Sequence, residues 1–187
     1  MQARTSLIDR MIRACTLDAQ FYEEVEADTT ATGQALAAVI IASVASGIGF
    51  GIAGVREEGG LWFIWGLLLG IAVALIGWLI WSLLVYWLGT TVFRGPETSS
   101  NYGEVLRTVG FANSPRVLTF FAFIPFLGGL IAFVASVWIL VASVIAVRQA
   151  LDFSTWRAIG TCVVGWIIYI VITFLVTGLT IGAGGLF

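Results

Sequence analysis

Few side chains in this sequence can do chemistry. There is no His, which removes the commonest metal ligand and the usual acid–base group near neutral pH. There is no Lys either, and all nine cations are Arg. Cys15 and Cys162 stand far apart without Cys-x-x-Cys spacing and read as free thiols. An enzyme inside a bilayer would need two aspartates, a Ser–Lys pair or a Cys–His pair. The apolar stretches offer none of these. We therefore expect no enzymatic activity and no cofactor, and assign no catalytic, cofactor-binding or metal-binding residue.

What remains is charge and size. Arg107, Arg116, Arg148 and Arg157 stand nearest the apolar stretches and are expected to share one level at a membrane surface. There they can hold anionic lipid headgroups or a partner, each cation contributing about 1 kcal/mol. The plainer role is to set orientation. Arg116 and Arg157 are expected to snorkel outward from span ends, leaving no ionisable group deep inside. Glu104 with Arg107, and Arg148 with Asp152, have the spacing of helical ion pairs. Ser43, Gly47 and Gly51 recur at intervals of four, as do Gly66 and Gly70, which lets helices pack closely within one protomer or between copies. Expected partners are membrane lipids and either a second copy or another membrane protein. A net charge of −2 gives no bulk attraction to nucleic acid.

The elements that position these residues follow from hydropathy. The chain has 187 residues, 59% hydrophobic and 11% charged. Its mean hydropathy is +1.02. The runs 35–55, 61–93, 117–147 and 158–187 carry no charge, and the remaining 72 residues hold all 20 charges. About 20 apolar residues cross a bilayer, so the pattern excludes a soluble enzyme or a disulfide scaffold. Met1–Gln34 carries nine charges and no apolar run, unlike a signal peptide. Within it, Leu7, Ile8, Met11, Ile12 and Cys15 form one apolar helix face, as expected of an interfacial segment. Phe21 and Val25 continue the pattern, with Glu23, Glu24 and Glu26 facing water.

The run 117–147 is broken by Ile124-Pro125-Phe126-Leu127-Gly128-Gly129 and reads as a two-helix hairpin or one kinked helix. The hairpin gives five spans. With the N-terminus cytoplasmic, the inner segments then hold eight of the nine Arg, against six for four spans. The expectation is an all-α polytopic membrane protein with five transmembrane helices and an N-terminal amphipathic segment. Residues 1–34 form that segment, and 35–187 the membrane domain, with spans about 35–55, 61–87, 114–128, 129–148 and 158–178. The Arg56–Gly60 stretch should turn the chain outside, and the apolar tail from Leu179 should end there. Thr29, Thr30 or Thr32 can cap the first span.

Residues Arg107, Gly110, Phe111, Ala112 and Pro115 form an Arg-x-x-Gly-aromatic-Ala-x-x-Pro stretch leading into paired short spans. This stretch, the Thr16–Glu26 segment and the span order resemble the Yip-domain family of five-span membrane proteins. The resemblance implies a membrane organiser or adaptor that binds a protein or lipid partner. A small passive transporter or channel is the alternative. The eukaryotic members carry a longer cytoplasmic extension and act with Rab-type GTPases, so the resemblance implies a prokaryotic member in the plasma membrane.

Overall fold

In an apolar setting a chain must satisfy its backbone polar groups internally, and uncharged stretches of this length do so as helices. The computed structural model describes residues 6–54 and 60–184, with side chains over 6–52 and 63–172 and at Phe174. Residues 56–59, the tail beyond 184 and the side chains of Trp62, Thr173 and Thr177 lie outside the described residues. The helices are α1 (Leu7–Cys15), α2 (Ala19–Ala27), α3 (Thr32–Gly54), α4 (Gly60–Thr91), α5 (Tyr102–Ala112), α6 (Gly128–Ala150) and α7 (Thr155–Gly184). Four of these, α3, α4, α6 and α7, are long and apolar enough to cross a membrane.

Local chemistry sets the ends of the short helices. Ser6 caps α1, its hydroxyl accepting from the Asp9 N–H at 3.1 Å. Leu17, at φ 61°, turns the chain, and Asp18 then caps α2. The threonines expected to cap the first span do not do so. Asp28 instead caps a 3-10 turn, Thr29–Ala31, that leads into α3. Asn101 and Glu104 form a capping box at the start of α5.

The expected α-helix over 114–128 is not formed. Ser114–Phe123 is a 3-10 helix opened by Pro115, a turn follows, and α6 begins at Gly128. Proline explains both ends. Pro115 lacks an N–H, and Pro125 forces Ile124 into an extended conformation, at ψ 119°. Gly128 closes the turn against the Ala122 carbonyl, where any Cβ would clash with backbone. Ten residues of 3-10 helix advance roughly 20 Å.

This stretch lies along α3. Gly110 faces the Ala35 Cβ, while Thr119 and Ser46 share a hydroxyl–hydroxyl hydrogen bond of 2.6 Å. The α3 side of that register advances 11 residues, roughly 16 Å. Helix α4 runs antiparallel to α3, with Gly47 against Leu67 and Gly51 against Phe63. Helix α7 packs on α4 through Gly165 and Trp81.

The tightest packing is at one end of the bundle, around α5. Val105, Val109, Phe111, Ala112, Phe21, Tyr22, Val25, Ala35 and Val147 are all buried there. Val105 and Val109 therefore face protein, not lipid as their apolarity alone suggests. Elsewhere large apolar side chains such as Leu69, Val73 and Phe133 lie exposed. Lipid tails are as apolar as these side chains, so a membrane helix gains little by hiding them.

Candidate functional site

Two features stand out: a cap made of α1 and α2, and a cavity inside the bundle. Ion pairs hold the cap together. Arg13 reaches Asp18 at 2.8 Å and Glu24 at 2.6 Å. Its guanidinium also lies 5.2 Å from the Phe21 ring centre. Arg10 meets Asp28 at 2.7 Å. These partners hold the Asp18 and Glu24 carboxyls below the usual range, through the hydrogen bonds from Arg13 first. Asp28 is lowered by its Thr30 hydrogen bond and then by Arg10. Pairs this exposed contribute about 0.2–1 kcal/mol each.

Docking of the cap uses stronger contacts. The last carbonyls of a helix lack intrahelical partners and carry the negative end of its dipole. Arg107, 5% exposed, answers both needs at the end of α2. Its Nε donates to the Val25 carbonyl at 3.1 Å and its Nη2 to the Glu26 carbonyl. Phe111, one helical turn on, packs edge-on to Phe21 with ring centres 5.3 Å apart. Gly110 lets Ala35 and Trp78 approach the α5 backbone, with Ala35 Cβ 2.9 Å from where a Cβ would sit. Ala112 and Pro115 are buried beside them. Helix α6 adds Gln149, donating to Glu23 at 2.8 Å, and Trp138, donating to the Cys15 carbonyl at 2.8 Å. Through Arg107 and Phe111 the stretch is thus a docking edge for the cap, while Gly110 seats it against α3 and α4.

Glu26 sits at this seam with its Oε2 buried and unpartnered. Burial first, then the Asp152, Glu104 and Glu23 carboxylates, push its carboxyl up to about 7, against the opposing pull of Arg107.

Several expected arrangements differ. Glu104 does not pair with Arg107, because it reaches back to the Asn101 N–H at 2.9 Å. Among the described residues no ion pair joins Arg148 to Asp152, both of which are exposed. The four arginines do not share one environment. Arg148 and Arg157 are exposed, Arg107 is sealed under the cap, and Arg116 lines the cavity. Arg116 enters the bundle because the 3-10 segment carries it alongside α3 rather than ending at a surface. The Leu7–Cys15 face also divides. Leu7 and Met11 pack on the core, while Ile8 and Ile12 stay exposed.

The cavity has a volume of about 390 Å³. Helices α3, α4, α6 and α7 line it, together with Asn113 and Arg116 between α5 and the 3-10 segment. Trp78, Trp81, Trp166 and Tyr169 supply most of its aromatic wall. Trp78 is fixed by donating its indole N–H to the Leu106 carbonyl at 3.1 Å. Of the small-residue positions, Ser43 and Gly70 line the cavity, and Ser43 bonds back to the Val39 carbonyl at 2.7 Å. Gly47 and Gly51 pack against α4 as expected. Gly66 and Gly70 meet open space, so no close helix contact rests on them within the protomer. Nothing in the residue pattern marked this cavity, because its aromatic residues are scattered among many others.

The helices and their apolar surfaces define an all-helical, multi-pass membrane protein. Within that class the chain belongs to the Yip1 domain family, whose family model matches residues 16–177. The match runs from the turn before α2 into α7 and takes in both the cap's docking edge and the cavity. Among curated proteins and solved structures there is no significant match.

Proposed function

We propose that this is a non-catalytic, five-pass membrane organiser that binds a partner through its docked cap. Yip1 family membership supports a non-catalytic membrane protein. The observation that carries the partner-binding reading is the Arg107 clamp on the Val25 and Glu26 carbonyls. It makes the cap a fixed part of the bundle, so its exposed Glu23, Glu24, Ile8 and Ile12 are presented in one orientation. The five passes are α3, α4, the stretch 103–123, α6 and α7. The path of 110–119 along α3 supports the third of them. The arginine distribution supports a cytoplasmic N-terminus and an outer C-terminus, in a prokaryotic plasma membrane. Residues 1–34 form the cap and 35–187 the membrane domain.

A photo-crosslinker placed at the exposed Ile8 or Ile12 tests the reading in native membranes. The expected result is one discrete protein or lipid adduct that weakens in Arg107→Ala. An adduct pattern matching that of a crosslinker at the lipid-facing Ile167 would overturn it, as would solute flux into proteoliposomes. Cysteines at Ser99, Gly129 and Ser154 should label inside, outside and inside; Gly129 is exposed and a Cβ there meets open space. Outside labelling at Ser154 would overturn the five-pass path.

A further inference from the structure

A guanidinium inside a membrane bundle is costly, and it persists there when something pairs with it or when it serves a function. Arg116 lines the cavity, and none of the described ion pairs involves it. The Tyr169 phenol shares the cavity with it. No Asp or Glu is among the lining residues, so the cavity carries one cation and no acid. The rest of the wall is aromatic and aliphatic, with the Asn113 amide and several hydroxyls. Ser43, Ser136 and Asn113 donate to carbonyls of neighbouring turns, and Arg116 is the one charged donor among the lining residues.

The surroundings fit an amphiphile. Ser143 and Ser136 line the cavity 7 and 14 residues before the end of α6 beside the cap. That places it roughly 10–20 Å along the helix axis, within the depth of a bilayer. Gly70, Val73 and Leu140 line it and are exposed at the bundle surface, so it opens toward the lipid. Its volume falls in the range that takes up small ligands. An oxyanion on a hydrocarbon chain would neutralise Arg116, while the chain would lie on the apolar wall.

We propose that this cavity binds the oxyanion group, phosphate or carboxylate, of a single-chain membrane amphiphile, anchored by Arg116. This goes beyond the partner-binding cap and does not rest on it.

The test uses the full chain in uncharged maltoside micelles with radiolabelled hexadecyl phosphate. Saturable binding is expected, displaced by palmitate and at least about tenfold less well by hexadecanol. Arg116→Gln should erase the preference for the phosphate over the alcohol, and Arg116→Lys should keep it. Gly77→Leu tests the place independently of the charge. A Cβ at Gly77 meets open space, so the variant should fold normally and fill the cavity. It should abolish binding. Occupancy should also slow maleimide alkylation of Cys162, which lines the cavity, in a Cys15→Ser background. Equal displacement by hexadecanol, or discrimination retained in Arg116→Gln, would overturn the proposal. Displacement by inorganic phosphate at the concentrations effective for hexadecyl phosphate would assign the site to a free anion and overturn the amphiphile. Full binding by Gly77→Leu would overturn the location.

Discussion

Truncating Arg107 to Ala should release the cap while leaving the bundle folded. The side chain is 5% exposed and makes two hydrogen bonds from a charged donor, to Val25 and Glu26. Hydrogen bonds of this kind contribute about 1.5–3 kcal/mol each. The low end of the pair, about 3 kcal/mol, corresponds to roughly a hundredfold change in the docking equilibrium. The Phe21–Phe111 contact and the Gln149 and Trp138 bonds remain, so the cap should open often rather than detach. Hydrogen exchange in micelles reads this directly. Amides of α2 should exchange about a hundredfold faster in Arg107→Ala, with those of α3, α6 and α7 unchanged. Arg107→Lys should fall between, because an ammonium lacks the planar fork that meets two carbonyls. Unchanged α2 exchange in Arg107→Ala would refute the clamp. Equal acceleration in α3, α6 and α7 would show that Arg107 supports the whole bundle.

Three further outcomes follow from the same contacts. Glu26 has a folded pKa raised to about 7, so the folded state holds its proton more tightly than the unfolded chain does. Stability should then fall as pH rises from the ordinary carboxylate range through about 7, and Glu26→Gln should flatten that slope in thermal melts and stabilise the protein at pH about 8. Asp18, Glu24 and Asp28 act in the opposite sense: lowered in the folded state, they stabilise the cap above the ordinary carboxylate range, and α1–α2 exchange should quicken as pH falls below about 4. Gly49→Ala should destabilise by about 1–3 kcal/mol, because its Cβ would strike the Thr119 and Phe120 backbone, whereas Gly66→Ala meets open space and should be neutral or slightly stabilising in unfolding titrations.

Much of the fold was legible in the sequence because bilayer crossing depends on one-dimensional quantities. Charge-free length located the long helices α3, α4, α6 and α7, although α4 extends four residues past the expected Leu61–Trp87 span and α7 six past the expected end at 178. The Pro125–Gly129 interruption read as a break, and the chain breaks there. The conformation of 114–123 was not legible, since apolar composition does not distinguish a 3-10 helix from an α-helix. The capping box was not read either, although Asn101 and Glu104 have its spacing. Local competition decided that case: Glu104 at the start of α5 meets a free backbone N–H before it meets Arg107.

The site was legible in part. The Arg107–Pro115 stretch stood out by residue type, but its role as a docking edge depends on α2, more than 80 residues earlier in the chain. Arg107 and Arg116 lie nine residues apart and looked equivalent as cations beside apolar runs. By itself the sequence determined the physical class, the long helices and the absence of His and Lys, because hydropathy, length and residue type are properties of the chain alone. Tertiary structure decided which arginine is clamped under the cap, which enters the cavity, and which remain at the surface. Those fates depend on which neighbours are brought within hydrogen-bond reach, and a guanidinium carries no mark of that in one dimension.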